Sequence, residues 1–125
     1  MKIWSIVAVA LGGALGTLGR IGADLAMVEL PGGHELATLT VNLLGSLGLG
    51  LVIGHGLPGI ASALREGITI GVLGSYTTMS GVVVVALGLP SLGLAYVLAT
   101  VILGLASAWL GYAWGRKLSP PGRVS

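Results

Sequence analysis

The chain has 125 residues, of which 54% are hydrophobic and only 8% charged, and its mean hydropathy is +1.02. A soluble domain carries about 25% charged residues, so this composition excludes one and points to an integral membrane protein. The absence of cysteine excludes a disulfide framework and a thiolate metal site, and a net charge of +2 is too small to argue for nucleic acid.

Residues 3–27 are predicted as the first membrane-spanning helix, by the length that a bilayer demands. A charged start before an apolar run also fits a signal peptide, but the run passes into Arg20 without a clear small-residue cleavage site. Gly12, Gly16 and Arg20 are four apart and share a face, with Asp24 one turn further. Arg20 has two readings: it snorkels to the interface, or it anchors a polar vestibule and buttresses a pore. Spacing alone favours neither.

Residues 28–35 read as a loop, broken by Pro31, Gly32 and Gly33. Glu29, His34 and Glu35 are expected in solvent there, and the glycines leave no fixed geometry for a metal.

The second span is predicted over residues 36–53. Thr38, Asn42, Ser46, Gly50 and Gly54 recur every four residues and make a slowly drifting polar and small stripe. Such a stripe serves as glue between helices or as a pore wall. Asn42 offers two N–H donors, and Thr38 and Ser46 one O–H each. Donors without a fixed positive charge suit an anion that must move on.

The third span is predicted over residues 60–87, with Arg65 and Glu66 at its start. Its centre reads GVLGSYTTMSGVVVV, residues 71–85. Seven of the eight residues from 74 to 81 are small or polar: Gly74, Ser75, Tyr76, Thr77, Thr78, Ser80 and Gly81. A lipid-facing helix has no use for them, and freed backbone at membrane depth must be satisfied by protein or by a water-filled cavity. The third helix is therefore expected to break mid-membrane and to border a polar path, although close backbone packing alone also accounts for the residues.

The fourth span is predicted over residues 92–114. Tyr96, Thr100 and Gly104 again sit four apart. Trp109, Tyr112 and Trp114 form an aromatic belt, followed by Arg116 and Lys117. Residues 119–125 read as a short disordered tail.

With four spans, Lys2, Arg65, Arg116, Lys117 and Arg123 fall on one side of the membrane, and Arg20 toward the other with Asp24, Glu29 and Glu35. The positive-inside rule places both termini in the cytoplasm, in a multi-pass protein of the cell (plasma or inner) membrane. Glycine is abundant, at 23 residues. So much small-residue surface on so small a bundle predicts an oligomer.

Three stretches together resemble the Fluc (CrcB) family of small fluoride channels. They are GGALGTLGR at residues 12–20, ATLTVNLLGSLGLG at 37–50 and GVLGSYTTMSG at 71–81. With the matching four-span length, the resemblance covers nearly the whole chain. It implies an all-α membrane fold in an antiparallel, dual-topology-type dimer with two pores. It also implies passive export of fluoride, which enters cells in acid as HF, and a structural sodium ion at the dimer centre. Carried over by residue, the sodium-binding backbone carbonyls belong to Gly74 and Thr77. The pore asparagine is Asn42, the arginine ending the first span is Arg20, and the hydroxyl after the break is Ser80. The polar track on the last span maps to Tyr96 and Thr100, with Gly104 where the family often has a hydroxyl. Thr38 and Ser46 join the pore wall.

One departure stands out. The family usually has two phenylalanines three apart at the break, with ring edges that face the fluoride. This chain has no phenylalanine, and the matching positions are Met79 and Val82. A valine offers nothing like the positive edge of an aromatic ring. Together with the charge bias, this favours a heterodimer with a paralogue over a homodimer. Two rivals are a subunit that conducts nothing and a small multidrug-type proton-coupled transporter. The transporter needs a membrane-embedded carboxylate, and Asp24, Glu29, Glu35 and Glu66 sit at span ends or in loops. No nucleophile–base pair, metal cluster or cofactor motif suggests an enzyme.

Overall fold

The computed structural model describes residues 2–122. They form only helices and turns, with no strand among them. Helix α1 is Ile3–Met27, α2 is Gly33–His55, α3 covers residues 62–76, α4 is Met79–Leu87 and α5 is Gly93–Leu118. Helices α3 and α4 together make the third span, so four spans are long and apolar enough to cross a membrane.

Several ends differ from the sequence-based expectation. Helix α2 starts at Gly33, so His34 and Glu35 stand in its first turn and not in a loop. The reason is local: Gly32 takes a left-handed φ of 66° and turns the chain at once, and Gly33 packs directly on the Met27 backbone. The same helix runs on to His55, where Gly56 (φ 76°) donates its N–H to the Val52 carbonyl and ends it. Helix α5 extends to Leu118, so Arg116 and Lys117 lie in its last turn, where cations suit the carbonyl end. Pro120 and Pro121 then prevent continuation. The tail expected over 119–125 falls partly on residues 123–125, which lie outside the described residues.

Little apolar surface is buried within one subunit. The buried hydrophobic residues are Ala37, Val41, Val82 and Val85, whereas Leu, Ile and Trp side chains point outward along every span. That inversion is what lipid as a solvent allows, because helices there associate through close packing and not through the hydrophobic effect.

The glycines make that packing. A Cβ at Gly50 or Gly54 of α2 would run into the backbone of α5 at Ala108 or Tyr112. A Cβ at Gly111 or Gly115 of α5 would run into α2 at Leu47 or Leu51. Likewise Gly12 and Gly16 of α1 lie on the backbone of α3 at Gly67 and Val72. Within α3, Gly67–Leu73 is wound as a π-helix. π-helical turns are rare and often mark functional sites.

Candidate functional site: the break in the third span

Tyr76 ends the helical part of α3. Thr77 (φ −78°, ψ 156°) and Thr78 (φ −150°, ψ 118°) are both extended. In a continuous helix the Thr78 N–H would donate to the Gly74 carbonyl. Here it donates to Asn42 Oδ1 at 2.7 Å, and Asn42 Nδ2 donates to the Thr78 carbonyl at 3.0 Å. One side-chain amide of α2 thus satisfies both polar groups of the broken residue. Asn42 is itself buried, at 8% exposure.

Thr78 also starts the next helix. Its hydroxyl oxygen accepts from the Gly81 N–H at 2.9 Å, as an N-cap does, and lies 3.2 Å from Ser80 Oγ. Thr77 turns the other way: its hydroxyl donates to the Leu73 carbonyl at 3.1 Å and closes the end of α3. Ser75 faces α1, with Oγ 2.9 Å from the Gly13 carbonyl and 2.7 Å from that of Gly71. The polar residues of the break therefore divide between closing helix ends and tying α3 to α1.

A cavity lies on each side of Thr78. The first has a volume of about 350 Å³, and its lining includes Asn42, Ser46, Gly74, Thr77, Met79 and Thr100. The second has a volume of about 290 Å³, and its lining includes Arg20, Asp24, His34, Thr38 and Ser80. Thr78 borders both.

The residues singled out in the sequence distribute as follows. Asn42, Ser46, Met79 and Thr100 meet at the first cavity, and Arg20, Thr38 and Ser80 at the second. Val82 lines neither and is fully buried inside the subunit. Tyr96 lines neither as well, and its hydroxyl donates to the Glu35 carbonyl at 2.8 Å. The Thr100 hydroxyl donates to the Tyr96 carbonyl at 2.8 Å. Of these polar groups, then, Tyr96 and Thr100 commit their protons to backbone. Asn42 keeps a second amide N–H, and no hydrogen bond holds the Ser46 side chain among the described residues. The α2 stripe also splits: Thr38, Asn42 and Ser46 line the cavities, whereas Gly50 and Gly54 serve packing.

Three members of the site are not singled out by the sequence. Thr78 reads there only as part of the break, although a threonine three residues before Gly81 is a cap pattern. Asp24 reads as a residue on a helix face, and His34 as a solvated loop residue. In the structure His34 Nδ1 lies 3.2 Å from Asp24 Oδ1 at the edge of the second cavity.

Four apolar spans, one interrupted at mid-length by two extended residues that border two cavities, define a multi-pass membrane protein built around a broken helix. This is the arrangement of proteins that pass small solutes across a bilayer. A profile of the CrcB-like protein family, described as Camphor Resistance (CrcB), matches residues 7–112. A fluoride-specific ion channel FluC of Nitratidesulfovibrio vulgaris is 40% identical over 119 residues, covering 89% of this chain and 96% of that protein. A counterpart in Thermus thermophilus is 41% identical over 117 residues, covering 88% and 94%. A protein named fluoride-specific ion channel FluC 2, from Symbiobacterium thermophilum, is 39% identical over 111 residues, covering 82% and 90%. The chain belongs to the CrcB family.

Proposed function

We propose that this chain is a subunit of a fluoride-selective channel that lets the ion leave the cytoplasm passively. The observation that carries the reading is the Asn42–Thr78 bracket, set between two cavities in an otherwise apolar span. The names of the relatives supply the ion.

Fluoride is small and strongly hydrated. A pore must replace its water with donors and still release it. The second amide proton of Asn42 and the hydroxyls of Ser46 and Ser80 supply donors without a trap of fixed charge. Thr38, Met79 and Thr100 complete the walls. Val82 acts from within the subunit by packing α4, and Tyr96 acts by holding α5 to the start of α2. Arg20 stands in the vestibule.

The second subunit runs antiparallel, and a paralogue is favoured over self. Gly74 and Met79 support a neighbouring subunit of either kind: both are exposed and line the first cavity. The Gly74 and Thr77 carbonyls are the candidate holders of a structural sodium ion. They fit one chemically: the Thr78 N–H goes to Asn42 and leaves the Gly74 carbonyl to the Thr77 hydroxyl at a long 3.4 Å, and oxygen donors suit a hard cation. Two carbonyls from one chain make half a shell, which a dimer would complete. Bound sodium would lend positive potential to the nearby path. The charge distribution supports cytoplasmic termini and residence in the cell membrane.

The test is fluoride efflux from liposomes, read with a fluoride electrode against chloride, for the chain alone and with a paralogue. Selective efflux alone establishes a homodimeric channel. Efflux only with the paralogue establishes the heterodimer. Silence in both overturns the channel reading in favour of a subunit that conducts nothing.

A further inference from the structure

The second cavity carries an arrangement that the conduction reading does not use. Arg20 and Asp24 are four apart on α1, the spacing at which a guanidinium and a carboxylate ordinarily pair. They do not pair here. Asp24 faces His34, with Oδ1 3.2 Å from the imidazole Nδ1. Arg20 stands in the same cavity with no hydrogen bond or ion pair among the described residues.

The tight turn creates this choice of partner. Leu30 donates its N–H to the Met27 carbonyl, Gly33 donates to the Leu30 carbonyl, and Gly33 lies on the Met27 backbone. His34 is thereby delivered to the face of α1 that bears Asp24. The other wall of the cavity is neutral: α4 and its cap contribute Thr78, Ser80, Gly81 and Val84. Two further carboxylates lie at this end outside the lining. Glu29 is in the connection, and Glu35 follows His34 on α2, with its carbonyl taken by the Tyr96 hydroxyl.

We propose that Asp24 and His34 form a proton-responsive capture site for a small monovalent anion, with Arg20 as the anion's partner. When His34 is neutral, its Nδ1–H donates to the Asp24 carboxylate, and the charges lining the cavity are Arg20 positive and Asp24 negative. They sum to zero. When His34 binds a proton, the imidazolium balances Asp24, and Arg20 remains as an unopposed positive charge. Glu29 and Glu35 lower the potential equally in both states, so the difference between the states is one full charge. Acid on this side of the membrane therefore favours anion capture. His34 and Asp24 are half exposed, at 59% and 43%, so protons reach the pair from water. The effect on flux rests on the channel reading; the coupling between anion and proton does not.

The experiment uses the chain in liposomes with its second subunit, with protein-free vesicles subtracted. Fluoride efflux of the wild type should rise about two- to fivefold between about pH 8 and pH 6, the range over which imidazole changes charge. His34→Gln should flatten that rise, and Asp24→Asn should raise the rate at about pH 8 by a similar factor. A flat wild-type profile, or the same rise in His34→Gln, overturns the proposal. A second readout needs no conduction. The chain has two histidines, and the His34 ring resonance is identified by its loss in His34→Gln. Replacing gluconate with fluoride at about pH 6.5 should increase the protonated fraction of that ring, because coupling between two sites is reciprocal. No change in the ring overturns the capture site. Absence of flux at every pH removes the channel reading instead, and the ring spectrum still decides this one.

Discussion

Asn42 and Thr78, 36 positions apart in the chain, are joined by two hydrogen bonds that run in opposite directions. The side-chain amide of α2 does for Thr78 what a neighbouring strand does in a sheet. Leaving both backbone groups buried without partners would cost about 1–3 kcal/mol each. The bracket therefore makes the break tolerable at membrane depth, and it gives Asn42 a structural role beside any role toward an ion.

The two roles separate by substitution. Asn42→Asp keeps an acceptor for the Thr78 N–H, loses the donor to its carbonyl and adds a charge that repels anions. Fluoride efflux should fall by about a hundredfold or more. Asn42→Ala should lower the thermal unfolding midpoint in detergent as well, since it removes both bonds. Unchanged efflux in Asn42→Asp would place the ion path elsewhere.

Thr78 caps α4 through its hydroxyl. Thr78→Val should destabilise the protein by about 1 kcal/mol, and Thr78→Ser should retain most of the cap. Thermal unfolding followed by size-exclusion chromatography distinguishes the two. Equal midpoints would mean that α4 does not depend on this bond.

The donors facing the first cavity are not equivalent. Ser46 keeps its proton free, whereas Thr100 donates to the Tyr96 carbonyl. Ser46→Ala should lower fluoride efflux by about tenfold, the weight of one hydrogen bond to an ion. Thr100→Val should change it by less than about twofold, because the lost bond is to the helix's own backbone. The reverse order would mean that Thr100 releases its internal bond to meet the ion.

Glycines on α1 differ in what surrounds them. A Cβ at Gly16 meets the Val72 carbonyl and Ser75 Oγ, while one at Gly13 meets nothing within 4 Å. Gly16→Ala should cost about 1–3 kcal/mol by overpacking, and Gly13→Ala should stay within about 0.5 kcal/mol. Unfolding midpoints in detergent check both. A large loss in Gly13→Ala would reveal a contact made by the second subunit.

Much of the architecture was legible in the chain. Residues 3–27 read as a span and are one helix, because apolar length and a polar start are local properties. The interruption at Thr77 and Thr78 was legible for the same reason, since small and polar residues crowd an apolar segment there. The ends of α2 and α5 were less so. Whether His34 or Arg116 joins a helix depends on glycine conformation and on where proline stops the chain, and not on hydropathy.

The roles of individual polar groups were a different matter. Val82 stood beside Met79 as a pore position, yet it is buried while Met79 is 62% exposed. The two are three apart on a helix of nine residues, and only the packing of neighbours determines which of them meets a cavity. Tyr96 and Thr100 read as a polar track, yet both hydroxyls donate to backbone carbonyls. By itself, then, the sequence determined the four spans, the position of the break and the family, because composition, periodicity and motif are written along the chain. The tertiary structure alone decided that Asn42 holds Thr78, that Asp24 takes His34 over Arg20, and which hydroxyls keep a proton to offer. A hydrogen bond is a choice among competing partners, and those partners become neighbours only when the helices pack.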